Sequence, residues 1–474
     1  MRDHALNVIL TLRGRPLLAI TLLAAALRLP TLALESLWYD ETFTAWLAGL
    51  PLANLWAATM GDVHPPTWYL IEWAVVHALG NGEFALRLVS GLAGVGLVPA
   101  VWRLATILDL PQEAAALVTA LAPFAVYYSQ EARPYSLLML STTLATIGLL
   151  ERRWWVLVLG SVVALYLHNL AVLYICGLLW LGLYRWRLEW RMWGSFLLIG
   201  MIWLPWVIVG LLEQAADVQN SFWVRPPDLA TPAFILVSLF FAQAGFIAIN
   251  AGVLSGLVLL LADWRRQIEL TGLVVVTLSL AVILSVLVAP VLIVRVMAPL
   301  APVLYALVAP VLSRHRLIAA LGLATAVTWL GAYWLSPNVG RPPHDLENFH
   351  METGDGIYHG NLASYITMRY YWPDVRQVVW RQGNDLSQSL TDQTKAAMLM
   401  EQADFEAVKC QRPRWWIVTA SNPTTAPAER AYISNLLAAY DGEQQVVIKQ
   451  SDLVDARLWL VDTRAVCMQA EARR

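Results

Sequence analysis

Charge is what this sequence has least of. Only 14% of its 474 residues are Asp, Glu, Lys or Arg, where soluble domains carry roughly 25%. With 58% hydrophobic residues and a mean hydropathy of +0.56, much of the chain must lie in lipid. The net charge of −2 leaves no basic excess, so nucleic acid is not an expected partner and basic clusters read as topology signals. Cysteine is nearly absent too: Cys176, Cys410 and Cys467 show no C-x-x-C spacing, so neither a zinc ribbon nor a redox motif is indicated. There is no nucleotide-binding glycine motif, internal repeat or heptad array. Tryptophan is abundant instead, with 23 copies, and it favours the membrane–water boundary.

Apolar runs and basic loops together give one topology. A membrane span needs roughly 17–25 residues. The windows 17–34, 84–102, 113–129, 135–150, 154–168, 170–184, 192–212, 246–262, 268–288, 296–312 and 317–335 make eleven span cores. Arg2, Arg13 and Arg15 precede the first, which places the N-terminus in the cytoplasm by the positive-inside rule. Basic residues then follow every inward crossing, at Arg103, Arg152-Arg153, Arg185 and Arg187, Arg265-Arg266, and Arg314 and Arg316. Window 17–34 lacks a small-residue cleavage site and is expected to stay as an anchor. Thr67 to Leu79 is apolar but short, and it carries Glu72 and His77, so it reads as an interfacial helix. Counting it as a span would put Arg152-Arg153 outside, which the charge pattern rejects.

The expected fold class is mostly α: a polytopic membrane domain over residues 1–335, with a first external loop at 35–83. Residues 336–474 change character. Strand-like runs at 377–380, 415–419, 445–448 and 458–461 alternate with helix-like stretches, which reads as an extracytoplasmic α/β domain. The protein is therefore expected in the cell membrane, with the bilayer as one partner.

Chemistry-bearing residues gather on one face of this topology. The first loop offers Asp40, Glu41, Asp62 and His64, the turn after the third span offers Gln130, Glu131, Arg133 and Tyr135, and Arg295 precedes an inward span. A carboxylate at the membrane surface can take a proton from a hydroxyl, while guanidinium matches phosphate oxygens in a two-pronged geometry. Plainer readings stand beside these. Asp40 and Glu41 could simply start a helix, where negative charge is favoured. Arg295 could snorkel to headgroups, Arg133 could pair with Glu131, and His64 could cap a turn stiffened by Pro65 and Pro66. His344, Asp345, Glu347, His350, Glu352 and His359 could hold a divalent metal such as Zn²⁺, though no tight H-x-x-x-H supports it, and no cofactor is otherwise indicated. Cys410 and Cys467 could pair in an oxidising compartment.

Four segments in order then carry a resemblance: W-Y-D-E-T-F, D-V-H-P-P-T-W-Y-L, G-E-F-A-L-R-L-V-S-G-L and Y-Y-S-Q-E-A-R-P-Y. Together they resemble the polyprenyl-phosphate-dependent glycosyltransferases of the GT-C fold, in the branch with protein O-mannosyltransferases and the aminoarabinose transferase of lipid A. The likeness covers roughly residues 15–180, with the later segment P-V-L-I-V-R-V-M-A-P-L beside it. It implies a polyprenyl-phosphate sugar donor and transfer by a single inverting displacement. Asp40 then matches the family's catalytic acidic residue, Glu41 its neighbour, and Glu131 the region of a second functional carboxylate, with His64, Arg133, Tyr135 and Arg295 as substrate-binding residues. The chain departs from the aminoarabinose enzyme where Phe43 follows D-E-T in place of a basic residue, and where His64-Pro65-Pro66 replaces a Lys before proline. Lipid A modification is accordingly not the favoured role. The acceptor is left open between glycolipid, polysaccharide, protein Ser/Thr and lipid A. Two rivals from other classes are a lipid-linked sugar flippase, which would want ionisable groups at mid-membrane on several helices, and a glycan-binding scaffold, which leaves Asp40-Glu41 unexplained.

The charge pattern makes a labelling prediction. In a chain stripped of its own cysteines, single cysteines at Ser36, Gln130 and Asn220 should react with an impermeant maleimide from outside, and those at Arg152 and Arg266 only from the cytoplasm. External reaction at position 152 would mean that 67–79 crosses the bilayer.

Overall fold

Every one of the eleven apolar windows contains helix in the computed structural model, which describes residues 15–212, 214, 226–241, 247–335, 351–381, 390, 392–421, 427–440, 443–451 and 454–472. Asn220 and the metal candidates His344, Asp345, Glu347 and His350 lie outside the described residues. Among the described residues, five helices are long and apolar enough to cross a membrane: Glu83–Ile107, Trp190–Leu211, Ile268–Leu287, Val294–Arg314 and Arg316–Leu335. Shorter apolar helices include Pro16–Thr31, Tyr135–Leu150, Trp154–Leu167, Ala171–Trp186 and Asn250–Leu261. The chain is a polytopic, mostly α membrane protein with a small C-terminal sheet.

Contacts divide the chain into two compact units. One comprises Met1–Leu32, His64–Trp68 and Phe84–Leu335; the other comprises Ala33–Val63, Tyr69–Glu83 and Ser336–Arg474. In the first, apolar helices cannot gain from the hydrophobic effect while surrounded by lipid, so close approach and internal hydrogen bonds must hold them. Small residues permit that approach. A Cβ at Gly160 would sit 2.7 Å from the Ser141 carbonyl of the Tyr135–Leu150 helix, and one at Gly272 would overlap the Trp180 ring.

The window 113–129 is not one helix. Pro123 splits it into Gln112–Leu121 and Pro123–Ser129, with Ala122 extended at ψ 120°. Proline has no N–H to offer Thr119, and the Phe124 N–H turns away to the Phe240 carbonyl. Two carbonyls are thereby freed where no water can reach them. Arg28, fully buried on Pro16–Arg28, fills both: Nη1 donates to Ala120 O at 2.8 Å and Nη2 to Thr119 O at 3.0 Å. The one guanidinium inside the first apolar window is thus a backbone cap.

The second unit contains a five-stranded mixed sheet in the order β2-β1-β3-β5-β4, with β1 Gly356–His359, β2 Arg376–Val379, β3 Arg414–Ser421, β4 Glu443–Ser451 and β5 Val454–Asp462. β1 runs parallel to β2 and β3, and β5 runs antiparallel to β3 and β4. Successive side chains point to opposite faces of a strand. Trp415 and Ile417 therefore pack with Tyr358, Val378 and Phe405, while Trp416 and Val418 pack with Ile357, Met368 and Leu458. Cys410 and Cys467 form a disulfide. The helices of the first loop, Tyr39–Gly49, Leu52–Met60 and most of Thr67–Leu79, belong to this unit. Leu37 N–H donates to Tyr371 OH at 2.6 Å, Asn54 Nδ2 to Ala397 O at 3.2 Å, and Tyr370 OH to Asn81 O at 2.7 Å.

Replacing Arg28 by Leu should strip both carbonyls of their partner, each such loss costing about 1–3 kcal/mol. Thermal unfolding of the purified protein in detergent should show a lower midpoint for Arg28→Leu, and Arg28→Lys should recover part of it. An unchanged midpoint would remove Arg28 from this role.

Candidate active site

The basic residues singled out from the sequence, His64, Arg133 and Arg295, fall in the first unit with Glu131 and Tyr135; Asp40 and Glu41 fall in the second. Arg133 sits in the turn between Pro123–Ser129 and Tyr135–Leu150, and that turn is held by its backbone and its neighbours. Gln130 Nε2 donates to Thr31 Oγ1 at 2.6 Å and to Leu27 O at 3.3 Å. Trp68 Nε1 donates to Ala132 O at 3.1 Å, and Ser90 Oγ to Arg133 O at 2.9 Å. Gln130, Glu131, Arg133 and Tyr135 are all buried here, so position 130 is not the open labelling site that the charge pattern alone suggests.

Arg133 Nη2 lies 3.4 Å from His64 Nε2. Guanidinium can only donate, so Nε2 of His64 is the acceptor and its ring proton belongs on Nδ1. The His64 backbone is fixed in turn by a run of buried amides. Gln214 Nε2 donates to His64 O at 3.2 Å, Asn169 Nδ2 to Gln214 Oε1 at 2.8 Å, and Trp206 Nε1 to Asn169 Oδ1 at 2.9 Å.

His168 completes the cluster. It lies in the connector between Trp154–Leu167 and Ala171–Trp186. Its ring meets His64 edge-on at 5.3 Å and stands 6.2 Å from Tyr135. Burial pushes the imidazole well below the ordinary histidine range, and His64, Arg295 and Arg133 push it the same way. Arg295 is half-buried in the 3₁₀ stretch Val294–Leu300. Two guanidiniums therefore act on one neutral ring, which is a setting for an anion.

The second unit holds the carboxylates. Asp40 and Glu41 occupy the first turn of Tyr39–Gly49, where the helix favours negative charge. Glu41 is fully buried and accepts the Trp38 N–H at 3.2 Å, so it closes its own helix N-terminus. Asp40 is only half-buried and remains the accessible member of the pair. Asp62 accepts from Tyr69 OH at 2.7 Å, and the Tyr69 ring packs edge-on against Phe43. Glu72 is fully buried, and among the described residues neither carboxylate oxygen has a hydrogen-bond partner. Burial raises its carboxyl well above the usual range, and the Glu41 charge raises it further.

The remaining metal candidates do not meet. Glu352 pairs with Arg414 at 2.6 Å, while His359 is buried between Ser364 and Gln377 and pushed down to about 3 by that burial. No group of three metal-ligating side chains occurs among the described residues. Sequence reasoning passed over His168, Asn169, Gln214 and Trp206 as site residues. The one available signal was His168-Asn169 itself, a polar pair between two apolar windows.

No family model matches the chain, and no curated protein matches it in sequence. Solved structures do match. The crystal structure of ArnT from Cupriavidus metallidurans bound to undecaprenyl phosphate aligns with a TM-score of 0.58 and 12% identity, over 93% of this chain and 97% of that one. The same ArnT in the apo state aligns with a TM-score of 0.57 and 14% identity, over 97% of this chain and 98% of that one. The chain has the GT-C fold. At such identities the likeness to ArnT establishes the fold and leaves the sugar and the acceptor open.

Glu72 yields a pH prediction. A carboxyl held protonated in the folded state contributes stability that is full below the ordinary glutamate pKa of about 4.3 and is lost as pH rises through its elevated folded value. Glu72→Gln keeps the shape without the titration. Its unfolding midpoint should match the parent near pH 4 and exceed it by at least about 2 °C at pH 8. Parallel pH profiles for the two proteins would show that Glu72 is not the group involved.

Proposed function

We propose that this chain is a membrane glycosyltransferase that moves a sugar from a polyprenyl-phosphate donor to an acceptor hydroxyl at the extracytoplasmic face. The observation that carries the reading is the cluster of Arg133, Arg295 and His64 around buried His168, in a chain with the fold of undecaprenyl-phosphate-bound ArnT. Arg133 and Arg295 hold the donor's phosphate, with Arg133 aimed by its bond to His64. Asp40 takes the acceptor's hydroxyl proton as that oxygen attacks the anomeric carbon. The bond from that carbon to the phosphate oxygen breaks, and its electron pair leaves on polyprenyl phosphate. The configuration inverts in this single displacement, and the donor supplies the driving force. Glu131 stabilises positive charge developing on the sugar ring, and Glu41 orients Asp40 through the helix start they share. Glycolipid, polysaccharide and protein hydroxyls are all acceptors of the right chemistry.

Purified protein in detergent, incubated with radiolabelled polyprenyl-phosphate sugars and membrane extract, should transfer label from at least one donor. Asp40→Asn keeps the shape but cannot accept the proton, and loss of a general base typically costs ~10²–10⁴-fold. Retention of more than about a tenth of the parent rate, with chemistry rate-limiting, would sink the assignment of Asp40.

A further inference from the structure

Two histidines stand in the basic cluster, and the hydrogen bonds decide what each can do. The Leu170 backbone N–H donates to His168 Nδ1 at 3.2 Å. A nitrogen that accepts a backbone N–H carries no proton, so the ring hydrogen of His168 is on Nε2. His64 is spoken for in the opposite sense, its Nε2 facing the Arg133 donor at 3.4 Å. The groups that act on His168 are basic or neutral: His64 ahead of Thr67–Leu79, Arg133 and Tyr135 at the start of Tyr135–Leu150, and Arg295 in Val294–Leu300. Among the described residues, no carboxylate contributes to its electrostatics.

We infer that His168 is a neutral hydrogen-bond donor of the phosphate site, offering Nε2–H to the anionic oxygens that Arg133 and Arg295 attract. The role presupposes that the cluster holds the donor's phosphate, the reading on which the proposed function rests. Three observations support it together. The Leu170 bond leaves Nε2 as the only protonated nitrogen. Desolvation and two guanidiniums keep the ring from gaining a second proton. The amide chain through Asn169, Gln214 and Trp206 fixes the residue next to it in the chain. A site built this way carries fixed charge on its guanidiniums and directional specificity on its imidazole, and neither changes across the pH range in which free histidine titrates. Two histidines beside a phosphate would otherwise suggest a site that tightens in acid.

The test uses the full-length protein in detergent micelles and two probes. These are undecaprenyl phosphate and its methyl ester, whose single negative charge does not titrate. The parent should bind the methyl ester with an affinity constant to within about threefold between pH 5.5 and 8.5. His168→Phe should weaken binding of both probes by about tenfold to a hundredfold, the range for losing a hydrogen bond to a charged group. His168→Gln, whose amide is also a neutral donor, should restore most of that loss. Parental affinity in His168→Phe, or a His168→Gln variant no better than Phe, overturns the inference. So does an affinity of the parent for the methyl ester that rises tenfold or more toward pH 5.5 and loses that rise in His168→Gln, because imidazolium would then be the ligand. The parent series and the Gln variant decide the matter even where the Phe variant does not fold. Failure of the parent to bind either probe is a different result: it removes the polyprenyl-phosphate reading itself.

Discussion

Lipid offers no water to a broken helix, and the break at Pro123 is the constraint around which the first unit is arranged. Without it, residues 112–129 would run as one rod. With it, the chain turns at Ala122, and Arg28 from another helix must be present to satisfy Thr119 and Ala120. The same neighbourhood fixes the next turn of the chain. A Cβ at Gly94 would sit 2.4 Å from Ser129 Cβ, and Gln130 reaches back to Leu27 and Thr31. The turn bearing Glu131 and Arg133 thus begins from a point pinned by the first apolar helix. An arginine that looks like an intrusion in a membrane window anchors the segment that leads into that turn.

Much of this was legible in the sequence, because it rests on local signals. Apolar runs of membrane length and basic residues between them located all eleven helical windows, and the turn with Glu131 and Arg133 followed from where one window stopped. The acidic pair at Asp40-Glu41 was visible as a helix start, and Glu41 does serve that start through the Trp38 N–H. What was not legible depends on contacts between distant residues, which leave no period in the sequence. Gln214 holds the His64 carbonyl across 150 residues, and Tyr371 meets Leu37 across 334. The packing of the first-loop helices with the C-terminal residues belongs to this class. So does the short strand β1, whose four residues carry too little pattern to be seen alone. The tautomers of His64 and His168 are further out of reach, since they depend on which single atom each ring nitrogen faces.

Ionisable groups in the interior are handled in three distinct ways, and the differences come from their chemistry. Arg28 keeps its charge because guanidinium deprotonates with difficulty and has enough donors to spend on backbone carbonyls. Glu72 has no such partners among the described residues, and burial favours it as a neutral acid, the more so with Glu41 nearby. His168 is kept neutral first by its burial and then by the cations around it, with a backbone donor on Nδ1. Asp40, the more accessible carboxylate at the helix start, is the one to which the proposed function gives the acceptor's proton.

This sorting bears on the proposed reaction. A phosphodiester donor has one negative charge, and the monoester that leaves can carry two. A site that gained its positive charge by protonating histidine would bind donor and product with a balance that drifted with pH. The guanidiniums of Arg133 and Arg295 keep their charge, and in the proposed reaction they would favour charge developing on the leaving oxygen, which is where a displacement needs stabilisation. A neutral imidazole adds direction to that field without adding a further cation that must be kept desolvated while the site is empty. The Leu170 bond that holds His168 neutral is therefore consistent with a cluster shaped for the leaving phosphate, with its charge fixed by residues that do not titrate.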